Sequence, residues 1–191
     1  MSKLETNQVD PATGTTLTLG TSGDTIAIPS GVTLANSGTA TGFAANTPAF
    51  HAYLSSTVEV ANNVATKLAA NTEVLDTDNC YDNSTNYRFQ PTTAGKYFVY
   101  GLINGQTNGY RLYFVKTKIY KNGSEIATNG NTINDNVLYR LGVSVQSIVD
   151  MNGSSDYVEL FGHIDIHANG TEQFLGASTQ PCYFGAYKLI T

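Results

Sequence analysis

Asp156-Tyr-Val-Glu-Leu-Phe-Gly-His-Ile-Asp-Ile-His167 alternates without a break. Val158, Leu160, Gly162, Ile164 and Ile166 fall on one face, and Tyr157, Glu159, Phe161, His163, Asp165 and His167 fall on the other. Period two sustained over this length is the pattern of a β-strand with one face in a core. The first set reads as that core. The second mixes rings with ionisable groups, too polar for an interior and too aromatic for a plain wet surface.

The same reading extends through the second part of the chain. Strands are expected at 49–56, 67–75, 86–90, 95–105, 111–121, 137–150, 156–167, 173–177 and 182–190. Explicit turns separate them. Lys121-Asn122-Gly123-Ser124 carries the Asn-Gly pair of a tight hairpin, and Asn152-Gly153, Asn169-Gly170 and Thr92-Thr93-Ala94-Gly95 turn the chain elsewhere. No window sustains a 3.6-residue apolar period. The nearest, Val58 to Ala70, is interrupted by Asn62-Asn63 and by β-branched residues. The fold class is therefore all-β, an antiparallel sandwich or jelly roll.

Ahead of this lies Gly14-Thr-Thr-Leu-Thr-Leu-Gly-Thr-Ser-Gly-Asp-Thr-Ile-Ala-Ile-Pro-Ser-Gly-Val-Thr-Leu34. Leu17/Leu19, Ile26/Ile28 and Val32/Leu34 each skip one residue and point to short strands. Strands this short cannot cover their own apolar side, and an isolated ribbon is marginal in water. The segment is expected to complete its core with sister copies, as an oligomeric stalk. The organisation is a polar lead-in over 1–13, a stalk over 14–48 and a head over 49–191.

Charge narrows the function. The net charge is −5 and the ten Lys and Arg are scattered singly, so no basic stripe offers itself to nucleic acid. No apolar run approaches a membrane span, and the opening Met-Ser-Lys-Leu-Glu carries no apolar leader. The expectation is a product of the host cytoplasm that leaves by some other route. Cys80 and Cys182 read either as buried thiols in a reducing compartment or as a disulfide tying an early loop to the last strand. Neither belongs to a CxxC pair.

Arg88-Phe-Gln-Pro-Thr-Thr-Ala-Gly-Lys-Tyr-Phe-Val99 resembles the Phe-x-Pro-x-x-x-Gly-x-Tyr signature of complement/tumour-necrosis-factor-like heads. Ile119 to Gly123, Asp156 to Leu160 and Tyr183 to Leu189 are similar to that family's later strands. The resemblance implies a ten-stranded jelly roll that forms tight trimers through one sheet. Thr15 to Gly31 resembles a repeat of tailed-bacteriophage structural proteins. Together these imply a trimeric virion appendage, a short fibre or a capsid decoration. Its lead-in would dock on a capsid or tail protein, and its head would be available to a host-surface glycan or protein. The alternative is a free lectin-like or adhesive module.

Trimerisation through the second face of 156–167 would bring Tyr157, Phe161, His163 and His167 to the threefold axis, alongside Leu17, Leu19, Ile26, Ile28, Val32 and Leu34 of the stalk. His163, Asp165 and His167 also have a metal-ligand spacing, although neighbours on one strand face sit about 6.5–7 Å apart, awkward for one ion. The alternative is a set of hydrogen-bonded or solvated polar residues, and no metal or other cofactor is expected. Asp76, Asp78 and Asp82 share a loop and read either as calcium ligands or as turn formers. Tyr110, Tyr113, Tyr120, Tyr139, Tyr183 and Tyr187 offer apolar faces with polar tips, suited to a sugar, a protein partner or cross-strand packing. No strand, Gly-x-Ser-x-Gly and helix context activates a nucleophile, and no enzyme is expected.

Overall fold

The computed structural model describes residues 9, 11–38, 46–109, 111–134, 138–167 and 170–190. They fall into two units, Met1–Phe43 and Ala44–Thr191.

Among the described residues of the second unit there is no helix, and alternation has produced thirteen strands. They are β1 (Ala49–Tyr53), β2 (Val58–Val60), β3 (Val64–Lys67), β4 (Thr72–Asp76), β5 (Tyr81–Asp82), β6 (Arg88–Phe89) and β7 (Gly95–Asn108). Then follow β8 (Leu112–Lys121), β9 (Ser124–Thr132), β10 (Arg140–Met151), β11 (Val158–Ile166), β12 (Thr171–Phe174) and β13 (Tyr183–Lys188). All pair antiparallel. One seven-stranded sheet runs β2-β12-β7-β13-β1-β4 with β10 on the other side of β7. A six-stranded sheet runs β5-β6-β11-β8-β9 with β3 added to β11.

The two inner faces make one core. Tyr97, Val99 and Ile103 of β7 and Phe184 and Ala186 of β13 meet Val158, Leu160, Ile164 and Ile166 of β11. The inward set expected on β11 is thus the core set. Phe50 stacks on Tyr81 at 4.5 Å and on Phe89 at 4.6 Å and meets the edge of Phe184. The β8–β9 hairpin has both central residues at positive φ, Asn122 at 50° and Gly123 at 78°, which Asn-Gly accepts without a steric penalty.

Three features depart from expectation. Residues 57–66, where no strand was expected, hold β2 and most of β3, while the stretch from Val58 to Ala70 forms no helix, as its interruptions imply. Strand β9 was not visible in sequence: Ser-Glu-Ile-Ala-Thr-Asn-Gly-Asn-Thr shows almost no alternation because it is an edge strand and nearly every residue faces water. The opposing edge, β10, is blunted by side chains from the other sheet. Asn129 Nδ2 donates to Ser144 O at 2.8 Å and Lys121 Nζ to Asp150 O at 2.7 Å, capping outward carbonyls that would otherwise template another strand, while Thr117 Oγ1 donates at 2.6 Å to Val143 O on the β7 side.

The third departure concerns the leading unit, where no strand forms among the described residues. Thr21 donates its N–H and its hydroxyl to Asp24 Oδ2, and Asp24 N donates to Thr21 O, closing a turn. Val32 N to Pro29 O closes another. The expected short strands are absent because a ladder needs a backbone partner, and none of these residues meets one. Leu17, Leu19, Ile26, Ile28, Val32 and Leu34 are 42–70% exposed.

Glu172, at the start of β12, is 2% exposed and lies opposite Thr107 of β7. Neither Glu172 Oε1 nor Thr107 Oγ1 has a hydrogen-bond partner. Burial, reinforced by Asp165, raises the Glu172 pKa. A carboxyl whose folded pKa is raised adds stability that is full below about 4.5 and is lost as pH rises through the folded value. Glu172→Gln is therefore expected to leave the melting temperature nearly unchanged at acidic pH and to raise it at neutral pH. Thermal denaturation of both proteins across the pH range checks this, and parallel curves would contradict it.

Candidate assembly face

Strict alternation along β7 sends its even-numbered residues outward, away from the core. The register across the seven-stranded sheet sets these into rows. Ile148, Phe98, Tyr187 and Ala49 form one, Gln146, Tyr100, Gly185, His51 and Leu75 a second, and Ser144, Leu102, Tyr183, Tyr53 and Thr72 a third. None of them is Asp, Glu, Lys or Arg.

The rings in these rows touch each other. Phe98 lies 5.5 Å from Tyr187 and 6.0 Å from Tyr100, and His51 lies 5.9 Å from Tyr100 and 5.4 Å from Tyr183. Tyr100 can lie across β13 because position 185 is glycine; a Cβ there would overlap the Tyr100 ring. His51 is held at both nitrogens, by the Tyr100 hydroxyl at 3.1 Å and by Gln180 Oε1 at 2.9 Å. The amide oxygen only accepts, so Nε2 carries the hydrogen and Nδ1 accepts from Tyr100. Burial raises the Tyr100 pKa, keeping that donor protonated.

Polar groups frame this centre. Lys96 pairs with Asp150 at 2.7 Å beyond one end. Beyond the other, Arg140 Nε donates to Asn104 Oδ1 at 3.0 Å and Gln106 Nε2 to Gln173 Oε1 at 3.2 Å. An uncharged aromatic centre within a polar rim is the anatomy of a protein–protein interface.

The outer face of β11 is different. Glu159 is buried and paired with Lys67. Phe161 packs on Tyr120 at 4.3 Å, and Arg88 lies over the Tyr157 ring. His163 donates from Nε2 to Asn63 Oδ1, 2.9 Å away, and meets the edge of Phe114, while burial lowers its pKa. His167 contacts the Tyr113 ring and Ile133 O, and Asp165 accepts from the backbone of Ile166. His163, Asp165 and His167 share a face but turn to separate partners.

The acidic loop is likewise consumed by its own backbone. Asp76 accepts from Cys80 N and Tyr81 N, Asp78 from the Thr77 hydroxyl, and Asp82 from the N–H groups of Ser84, Thr85 and Asn86. Those donors hold the Asp82 carboxyl well below its usual pKa. The turn-forming alternative thus describes the loop, and the three carboxylates are not gathered for calcium. Cys80 and Cys182 are both buried free thiols, and burial raises Cys182 to about 11. Of the tyrosines singled out in the sequence, Tyr183 and Tyr187 belong to the aromatic face. Tyr113 and Tyr139 are exposed elsewhere, Tyr139 beneath Arg111 at 4.2 Å, and Tyr110 lies outside the described residues.

No family model and no curated protein matches this chain. Its fold is nonetheless that of solved structures. It is similar to Eiger TNF from S. frugiperda, with a TM-score of 0.55 and 9% identity, covering 74% of this chain and 92% of that one. It is similar to murine APRIL at pH 5.0, with a TM-score of 0.54 and 10% identity, covering 74% and 98%. These likenesses establish a jelly-roll sandwich of the tumour-necrosis-factor kind.

Gly185→Ala is expected to destabilise the head by about 1–3 kcal/mol, the usual range for overpacking, although position 185 belongs to an outer sheet face. Denaturant unfolding measures this. A change within a few tenths of a kcal/mol would show that Tyr100 does not depend on the glycine.

Proposed function

We propose that the protein is a homotrimeric structural appendage whose heads associate through the outer face of the seven-stranded sheet and whose leading segments complete one another as a stalk. The observation that carries this is the uncharged aromatic centre around Tyr100. Full burial of a large apolar side chain is worth about 1.5–3 kcal/mol, so covering Phe98, Leu102, Ile148 and the tyrosines gives a strong driving force for association. The occupant is a second copy, because the leading unit presents a separate set of apolar side chains that sister copies would also cover. Three copies follow from the family resemblance of the head, and a ring of three closes without leaving a sticky end.

The resemblance of Thr15 to Gly31 to a bacteriophage repeat supports a place on a phage particle. There the lead-in would join a capsid or tail protein, and the heads would stabilise the shell or meet the host surface. Antibody labelling of purified particles tests that placement directly. Label on shell or tail upholds it, and particles without label remove it.

Assembly has its own test. Tyr100→Lys places a charge at the centre of the face, where burial without a partner is costly. The variant is expected to sediment as a monomer with unchanged circular dichroism, whereas the parent sediments as a trimer. A Tyr100→Lys protein that remains trimeric would move the interface elsewhere.

A further inference from the structure

At the edge of the six-stranded sheet, a cavity of about 280 Å³ opens between the turn at Asn79 and strands β5 and β6. Asn79, Tyr81, Asp82, Asn86, Arg88 and Gln90 line it. Its size is at the small end of ligand sites, which run from about 300 Å³ upward.

The chemistry of the lining is selective. Asp82 looks like a counter-ion for Arg88, its cross-strand partner. Its carboxylate is instead held by three loop N–H groups at 2.9–3.1 Å and by Asn86 Nδ2 at 2.7 Å. Arg88 has no carboxylate within salt-bridge distance among the described residues; its guanidinium lies 4.6 Å from the Tyr157 ring centre. Stacking of that kind leaves the in-plane N–H donors unused, and those donors fit a carboxylate in the bidentate fashion.

The remaining wall suits hydroxyl groups. Gln90 gives its amide nitrogen to Ser154 O at 3.0 Å and retains its oxygen as an acceptor. Asn86 likewise keeps its oxygen, and Asn79 adds a third amide. Tyr81 turns its hydroxyl to Ala70 O at 2.9 Å, so it contributes a ring rather than a polar tip. Asn79 and Tyr87 both hold positive φ, 51° and 50°, on either side of the cavity. For a bulky residue such as Tyr87 that backbone is rare, and such conformations gather at ligand clamps.

We propose that this cavity binds a carboxylate-bearing sugar of the hexuronate type, with Arg88 taking the carboxylate and the amides of Asn79, Asn86 and Gln90 taking ring hydroxyls. The site lies within one chain and on the sheet opposite the assembly face. A monomer that binds the sugar upholds the site and defeats the assembly; a trimer that does not bind it does the reverse.

The experiment titrates the full-length protein with sodium glucuronate, glucose and sodium acetate, followed by ligand-observed NMR. Glucuronate is expected to saturate, with glucose and acetate each weaker by about tenfold or more, since each lacks one half of the recognised chemistry. Arg88→Gln is expected to reduce glucuronate to the level of glucose while circular dichroism stays unchanged. Acetate binding as tightly as glucuronate would reveal an adventitious anion site only and overturn the proposal. So would failure of glucuronate to saturate, or an Arg88→Gln protein that binds it undiminished. If that variant does not fold, the comparison of the three ligands on the parent protein decides alone.

Discussion

Tyr100 lies across a glycine, and the outer surface of the seven-stranded sheet is organised around that contact. Gly185 gives the ring a floor, Phe98 and Tyr183 flank it, and its hydroxyl fixes the orientation of His51. A sandwich needs only one apolar face per sheet. Here a second apolar face has been built, with its own packing and without a charged residue at its centre. That surplus is what the assembly proposal explains.

The core beneath is ordinary by comparison. Alternation on β7, β11 and β13 sends aromatic and β-branched side chains inward, and Phe50, Tyr81, Phe89 and Phe184 interlock at one end. Its weak point is the Glu172 and Thr107 pair, two buried polar side chains with unmatched atoms. His163 Nδ1 is likewise buried and unmatched, whereas polar groups in the loops are satisfied locally. Asp82 organises its own turn, Asn152 accepts from the N–H groups of Ser154, Ser155 and Asp156, and Asn122 receives the N–H of Tyr157. The Asn- and Asp-rich loops are stiffened by their own side chains, which explains how they can carry a shaped cavity.

Sequence reading reaches the long strands and the tight turn at Asn122-Gly123, because both are local signals. It does not reach β9, whose residues face water and carry no alternation, or the two-residue strand β5, which exists only through its pairing with β6. The aromatic face was legible in part. Tyr183 and Tyr187 stood out as rings, but alternation alone does not tell which of two sheets a strand joins. The sequence therefore drew attention to β11, where rings and ionisable groups share a face, while the uncharged rings of β1, β7 and β13 converge only through long-range pairing. Arg88 opens the family-like stretch that ends at Val99; its place beside a carboxylate already consumed by backbone donors depends on a loop geometry that no spacing reveals.

In the leading unit, Leu17 to Leu34 show what a single chain leaves unfinished. Side chains that large and that exposed are the ones the proposed sister copies would cover. The most direct measurement is sedimentation of the full-length protein at micromolar concentration. The account requires a particle of three times the 20.4 kDa chain. A compact, folded species of one chain would contradict it.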